Sequence, residues 1–316
     1  MGVRKIIGNR LGNTAPGRYI VHGSKRIFLP GFHGLSVYEV LPLFLQQLRK
    51  TSIRERAGGI SFNIVMAIPP TLIFLFTLIP YMPISEAFIR QLFFLIRDVI
   101  PGEKNNSAII HFLDDFLRRP RNELLSFGLI VAIFFSSNAM MGVLRAFDKK
   151  YFGFLQRSNW QRRKVALKLT MICFLLIFIC ILMLMAQASV LKYLGVENAS
   201  LRAVIHNLRW VIVTLICFYI VSFIYRHGPS VTKKWPLITP GSVLTTALMI
   251  IATALVSYWV NHFGGYNKLY GSISAIFILM SLIFVNSLAL LMGFELNVTL
   301  SNLQEKQHTT IIESAV

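Results

Sequence analysis

The sequence predicts an all-α membrane protein with six transmembrane helices, an N-terminal interfacial helix and two amphipathic helices in the first external loop. Six segments without Asp, Glu, Lys or Arg support this prediction: residues 60–80, 124–144, 169–191, 210–225, 235–267 and 269–294. About 20 apolar helical residues cross a hydrocarbon core, so five segments suffice, and the fourth relies on flanking arginines that reach the headgroups. The chain is 55% hydrophobic and only 14% charged, unlike a soluble domain.

The positive charges predict that both termini lie in the cytoplasm. The net charge is +19, and this orientation places 21 Lys and Arg residues on the cytoplasmic side of the membrane and 10 on the outer side. The positive-inside rule favours that arrangement. A basic inner face attracts anionic lipid headgroups, with roughly 1 kcal/mol from each cation near the surface. The net charge therefore does not require nucleic acid as a partner.

The N-terminal region, residues 1–56, is predicted to be a basic cytoplasmic arm followed by the interfacial helix. Residues 1–35 contain seven glycines and lack the apolar stretch of a cleavable signal peptide. From Leu41 onward, apolar residues recur at helical spacing beside several cations, which is typical of a helix at the membrane surface. The pair Gly58-Gly59 is expected to let the chain bend before the first crossing.

The transmembrane domain is predicted at residues 57–300, with a cytoplasmic tail at residues 301–316. Pro69 and Pro70 lie in the middle of the first crossing, where they must kink or break the helix. The external loop, residues 81–123, contains two amphipathic stripes separated by a Pro-Gly pair. These two helices either cap the bundle or shape an external opening.

Polar residues inside the later crossings have two readings. Hydrogen bonding between helices is the ordinary role of such residues, Asn138 among them. An ionisable group near a membrane helix is by default a functional candidate, which applies to Glu295 unless it lies at the water boundary. Small residues four apart, as in the pair Ala289 and Gly293, predict close helix approach. Cys173, Cys180 and Cys217 all lie in apolar segments, which favours buried thiols over disulfides.

The residues after the fifth apolar segment resemble the signatures of the YihY/BrkB family. The matching positions are Tyr266, Asn267, Tyr270, Gly271 and Ser272, followed by Gly293, Glu295 and Asn297 at the end of the last crossing. The resemblance covers residues 51–303. It implies six helices in a bacterial inner membrane. It brings no settled activity, since members have been labelled ribonuclease BN and others have been linked to serum resistance or to lipid and lipopolysaccharide export.

Enzymatic chemistry is not predicted. A nuclease needs clustered carboxylates or histidines for metal or acid-base work, whereas the seven histidines here are scattered along the chain without metal-ligand spacing. No metal or cofactor is expected. The chain also lacks the GxxxxGK[ST] loop that holds nucleotide phosphates.

The leading hypothesis is a lipid or amphiphilic-anion transporter, similar to a flippase and without its own ATPase. The predicted substrate path consists of Arg54, Arg56, Ser61, Asn63, Asn138, Arg145, Arg226, Asn286 and Glu295. Substituting Arg56 and Asn138 is expected to reduce lipid movement without unfolding the protein. The expected partners are membrane lipids with anionic phospholipid headgroups. Homo-oligomers and envelope protein partners are left open.

Two alternatives remain at the level of the sequence. A non-transporting scaffold for envelope biogenesis would depend on residues 1–35 or 84–117 and would tolerate substitution of polar residues inside the membrane. A channel or small-solute transporter would produce ion or solute flux in vesicles. Lipid movement in vesicles separates the leading hypothesis from both.

Overall fold

The computed structural model describes residues 32, 35–81, 122–148, 154–193, 199–232, 234–262 and 273–315. Within these residues the chain is helical, with a single isolated bridge between Phe154 and Val231. The helices are α1 (Val37–Lys50), α2 (Ile53–Leu78), α3 (Asn122–Phe147), α4 (Asn159–Tyr193), α5 (Ala199–His227), α6 (Pro240–His262) and α7 (Ile273–Ala315), with a short 3-10 turn at Ile79–Tyr81. Most of the predicted N-terminal arm, the predicted external helices and the signature turn at residues 266–272 lie outside the described residues.

The interfacial segment forms α1, as the spacing from Leu41 predicts. The N-cap residue Ser36 begins the helix, and its backbone nitrogen donates to the Glu39 carboxylate at 3.3 Å. The chain turns between α1 and α2 at Ser52, whose φ of 44° is the left-handed conformation. The bend predicted at Gly58-Gly59 is wrong, because both glycines lie inside α2.

The first crossing is continuous through its proline pair. Pro69 and Pro70 both lie within α2, which extends eight residues further to Leu78, so the predicted break does not occur. The Thr71 hydroxyl donates to the carbonyl of Ala67 at 2.7 Å, one turn earlier. This is the ordinary bond of a helical threonine to the carbonyl four residues earlier. It does not replace the donors missing at the two prolines, whose acceptors would be the carbonyls of Val65 and Met66. The predicted kink stays a prediction.

The contacts between the described helices form a closed ring from α2 to α7. Each of α2 to α6 packs against the next helix in the chain, and α7 packs against α2, while α1 packs on α7. The most extensive contacts are α2 with α3 and α6 with α7. Helix α2 therefore lies between α3 and α7, which is the position from which it contributes to the site described below.

Five helices contain segments long and apolar enough to cross a membrane: Ile53–Leu75, Leu125–Phe147, Asn159–Ile181, Pro240–Trp259 and Ile276–Glu305. The fourth predicted crossing lies in α5, whose apolar part is the shorter segment Val211–His227. The described part of the chain is thus that of a helical membrane protein, with five helices that meet the length criterion. The sixth crossing stays a prediction.

Helix α7 is 43 residues long and joins the last crossing to the predicted tail without interruption. At 1.5 Å per residue it is about 65 Å long, roughly twice the thickness of the hydrocarbon core. It is therefore longer than the membrane is thick, and its C-terminal end extends beyond the membrane in the predicted orientation.

The tightest packing lies at the predicted cytoplasmic end of the bundle. The rings of Phe147 and Phe294 stack there with centroids 4.2 Å apart, and the buried Tyr225 ring lies beside them. Large apolar side chains on the outer faces of the helices are exposed, as a lipid-facing surface requires. Examples are Phe62, Ile130, Leu175, Leu215 and Leu255.

Candidate functional site

An ion pair between Arg56 and Glu295 lies inside this end of the bundle. The Arg56 Nη1 atom donates to Oε1 of Glu295, and the two side chains are 9% and 0% exposed. The second carboxylate oxygen accepts a hydrogen bond from Gln47 Nε2 at 3.2 Å. The other guanidinium nitrogen, Nη2, donates to the carbonyl of Ala146 at 2.5 Å. One buried ion pair thus connects α1, α2, α3 and α7.

The Arg56 guanidinium and the Glu295 carboxylate each need the other in order to remain charged while buried. Moving a charged group out of water costs several kcal/mol, and only a well-placed opposite charge with further hydrogen bonds offsets that cost. Arg56 also donates to the carbonyl of Thr51 at 3.4 Å. Glu295 is therefore a buried ion-pair member and not a residue at the water boundary.

A second polar contact lies on the same helix interface, further into the bundle. Ser61 Oγ lies 3.2 Å from Ser287 Oγ across the interface. Each hydroxyl also lies within hydrogen-bond distance of a carbonyl on its own helix, Ala57 at 2.6 Å for Ser61 and Ile283 at 2.8 Å for Ser287. Both serines are buried. We define the α2–α7 seam as Arg56 and Ser61 on α2 with Ser287 and Glu295 on α7.

Asn286 adjoins this seam in the sequence of α7. Its side-chain oxygen is buried and has no hydrogen-bond partner among the residues that the structure describes. A buried carbonyl oxygen without a partner is unfavourable by about 1–3 kcal/mol. Among the predicted path residues, Arg56, Ser61 and Glu295 therefore belong to the seam, and Asn286 is its neighbour only in sequence.

The two other asparagines of the predicted path face different neighbours. Asn63 donates from Nδ2 to the carbonyl of Gly59 at 2.7 Å and lies against Gly142 of α3. Asn138 accepts a hydrogen bond at 2.5 Å from Arg163 of α4. The Arg163 guanidinium also lies over the Phe134 ring, 5.1 Å from its centroid.

The three remaining cations of the predicted path are exposed. Arg54 lies on the first turn of α2, and Arg145 donates to the carbonyl of Met141 on its own helix at 3.3 Å. Arg226 lies on the last turn of α5. The structure therefore brings three of the nine predicted residues, Arg56, Ser61 and Glu295, to the α2–α7 seam. The other six lie outside it.

The signature residues at the end of the last crossing each make a specific structural contact. Gly293 lies so close to α6 that a Cβ atom would overlap Thr245 Oγ1 and the carbonyl of Gly241. Asn297 accepts from the Gly241 backbone nitrogen at 2.9 Å and donates to Thr239 Oγ1 at 3.0 Å. It therefore satisfies the N-terminal end of α6, where backbone donors lack partners within the helix. The prediction of close approach at Gly293 is confirmed.

A second polar network connects the loops at the same end of the bundle. Asp148 pairs with Arg162 at 2.7 Å and accepts from Ser230 at 3.1 Å. Arg157 donates to the carbonyls of Gly228 and Pro229 at 2.6 and 3.1 Å. Burial lowers the pKa of Arg157, and the nearby Asp148 only partly offsets that effect. The guanidinium nevertheless stays charged, because arginine is not deprotonated in proteins. Asp148 is thus a member of an ion pair that joins the end of α3 to α4.

Several of these residues were not singled out by the sequence. Gln47, Ser287 and Arg163 complete contacts whose other members were predicted. The sequence carries one signal for Ser287, because it lies eight residues before Glu295 and therefore near the same face of α7. Within the described part of the chain, no group of three His, Cys, Asp or Glu side chains converges in a way that could hold a metal ion.

The comparison with known families agrees with these signature positions. A family profile described as virulence factor BrkB matches residues 44–314. The chain belongs to the BrkB family. The resemblance inferred from the residues at the end of the last crossing is therefore confirmed, and the described part of that signature can be explained by the contacts of Gly293, Glu295 and Asn297.

Relatives of this BrkB-family protein are distant but cover most of its length. It is 25% identical over 251 residues to the putative ribonuclease-like protein YfkH of Bacillus subtilis, covering 78% of this chain and 90% of that protein. It is 22% identical to a UPF0761 membrane protein of Tolumonas auensis, covering 78% and 80%. It is 24% identical to the UPF0761 membrane protein RSc1559 of Ralstonia nicotianae, covering 81% and 57%. No solved structure is significantly similar to it.

Proposed function

We propose that this BrkB-family protein moves a lipid or amphiphilic anion across the bacterial inner membrane, with both termini in the cytoplasm. The observation that carries the proposal is the α2–α7 seam, which places a buried ion pair and a buried serine pair on one helix interface. Polar and ionisable groups inside a membrane domain commonly mark a substrate path.

The serine contact is the weak part of the seam. Hydrogen bonds between membrane helices contribute about 0.6 kcal/mol on average, so the polar atoms of a headgroup can replace this one at little cost. Separation of α2 from α7 would then present serine hydroxyls to a headgroup. The Arg56–Glu295 pair supplies a charged group at the cytoplasmic end of the same interface.

The energy source follows from what the chain contains. Because it has no GxxxxGK[ST] loop, movement has to be downhill, coupled to a gradient or driven by a partner. Exchange of lipid between leaflets along the seam is the least demanding of these mechanisms. This is the mechanism that the next experiment addresses.

Linking the two sides of the seam is expected to stop lipid movement. The hydroxyl oxygens of Ser61 and Ser287 lie 3.2 Å apart, which places cysteines at both positions within reach of a disulfide. In a background with the three native cysteines replaced by alanine, Ser61→Cys with Ser287→Cys should move fluorescent phosphatidylglycerol when reduced. Oxidation should arrest that movement, and reductant should restore it.

A matched pair of cysteines provides the control. Thr71 and Ser136 also have hydroxyl oxygens 3.2 Å apart, but they join α2 to α3, the more extensive interface. Oxidation of Thr71→Cys with Ser136→Cys should leave movement unchanged. If oxidation has no effect on the seam pair, with disulfide formation verified by gel mobility, the seam is not the path. If the reduced protein moves no lipid, the scaffold hypothesis replaces transport.

A further inference from the structure

A group of cations surrounds the end of α5 at the predicted cytoplasmic face. Lys168 on α4, Arg226 on α5 and Lys234 in the following connection all have exposed side chains. Their charges act on the ring of His227, which is half-buried among them. Burial of the ring is the main reason that the pKa of His227 is lowered, and the three cations add to that effect. We call these four residues the α4–α5 cationic cluster.

Packing between α4 and α5 holds this cluster together. The His227 ring lies 4.2 Å from that of Phe223, which packs against a buried cluster formed by Leu144 of α3 with Ala166 and Leu169 of α4. The ring nitrogen Nδ1 lies 3.2 Å from the Phe223 carbonyl oxygen. Two of the three cations, Lys168 and Arg226, therefore lie on helices that pack against each other, and Lys234 lies in the connection that follows α5.

No ion pair with Lys168, Arg226 or Lys234 is seen among the described residues. The acid of the neighbouring network, Asp148, is already engaged by Arg162 and Ser230. The positive charge of the cluster is thus not offset by that carboxylate. An anion of the solvent or the membrane is the natural counterion for such a group.

The surface next to the cluster indicates that this anion is a lipid. Exposed apolar side chains continue from Lys168 along α4, at Met171 and Leu175. On α5, Tyr219 is exposed two turns before His227 and its ring lies 6.4 Å from that of Phe223. A phosphate at the cations would leave acyl chains lying along these two apolar faces. A free phosphate would make no use of them.

We infer that the α4–α5 cationic cluster is a binding site for the phosphate of an anionic phospholipid of the cytoplasmic leaflet. The inference deepens the proposed function, on which it rests, because it names where the substrate would be held before movement. It adds Lys168, His227 and Lys234 to a predicted path that contained only Arg226 from this region.

Lipid binding to the purified protein tests the inference without requiring movement. Native mass spectrometry measures the binding of phosphatidylglycerol and of phosphatidylcholine to the unmodified protein and to a double variant. The double variant carries both Lys168→Gln and Lys234→Gln. Each cation near a charged surface contributes a factor of about five, so the double variant should bind phosphatidylglycerol about 25-fold more weakly. Phosphatidylcholine binding should be unchanged. Both side chains are exposed, so the thermal unfolding midpoint should equal that of the unmodified protein.

The matched control removes two exposed cations from α1, with Arg49→Gln and Lys50→Gln. It changes the net charge by the same amount and should retain phosphatidylglycerol binding. Equal weakening in both double variants would overturn the inference, because binding would then reflect the surface potential alone. Competition by excess inorganic phosphate, with no difference between the two lipids, would also overturn it in favour of a free-phosphate site. Selective binding together with a failure of the unmodified protein to move lipid would support the site and contradict the proposed transport.

Discussion

Replacing Glu295 with alanine is expected to lower the free energy of unfolding by about 3–5 kcal/mol, because it leaves the Arg56 guanidinium buried without its counterion. The Arg56 side chain is only 9% exposed, so water can do little to replace the carboxylate. The hydrogen bond from Gln47 is lost as well. Thermal unfolding of the purified protein in detergent, followed by intrinsic fluorescence and by size-exclusion profile, measures the effect.

Removing both charges is the control for this prediction. A buried ion pair replaced by apolar residues of similar volume is often neutral or stabilising. Arg56→Met with Glu295→Leu should therefore unfold at a higher temperature than Glu295→Ala. Equal destabilisation by the single and double variants would mean that shape, and not the unpaired charge, accounts for the loss.

The same contacts change the expectation for substitutions at Arg56. From the sequence, Arg56→Ala was predicted to reduce lipid movement without unfolding the protein. Its burial and its bonds to Glu295 and Ala146 instead predict a destabilised variant. Arg56 is therefore unsuited to a transport assay, and the reversible cross-link between Ser61 and Ser287 is the cleaner probe of the seam.

Replacing Gly293 with alanine is expected to destabilise the protein by about 1–3 kcal/mol, the usual cost of overpacking a core. An added methyl group would overlap both Thr245 Oγ1 and the carbonyl of Gly241, and a backbone carbonyl cannot move aside as a flexible side chain can. Helices α6 and α7 would have to separate along one of the most extensive interfaces of the bundle. Unfolding in detergent again measures the change.

Gly59→Ala is the matched control for the glycine prediction. Nothing lies within 4 Å of a Cβ atom built at Gly59, and the residue is inside α2. Alanine there should stabilise the helix by up to about 1 kcal/mol, since glycine is the poorer helix former. If Gly293→Ala unfolded at the same temperature as Gly59→Ala, the close contact between α6 and α7 would be contradicted.

The positions of the membrane-spanning helices were predictable from the sequence, because the length of an uncharged apolar segment largely determines where such a helix lies. The first, second, third, fifth and sixth apolar segments each overlap a described helix that has a segment long enough to span. The turn at Ser52 was not predicted, because a positive φ at serine leaves no sequence signal, whereas a glycine pair such as Gly58-Gly59 does. Helix continuity through Pro69 also depends on tertiary neighbours and not on local preference.

The candidate site was predictable only as a set of residues. Arg56 and Glu295 were both singled out, yet they are 239 positions apart, and no periodicity relates residues on different helices. Their pairing follows from how α2 and α7 pack. Asn63 and Asn138 were placed on the same path for their polarity alone, but the structure turns them toward Gly142 and Arg163.

The most direct test of the proposed function is movement of fluorescent phosphatidylglycerol between the leaflets of vesicles containing the unmodified protein. Protein-free vesicles and vesicles with the oxidised Ser61→Cys and Ser287→Cys protein are measured beside it. Transport along the α2–α7 seam predicts fast movement with the unmodified protein and movement at the protein-free rate with the cross-linked protein. Movement at the protein-free rate in all three samples, with folding verified, would contradict it.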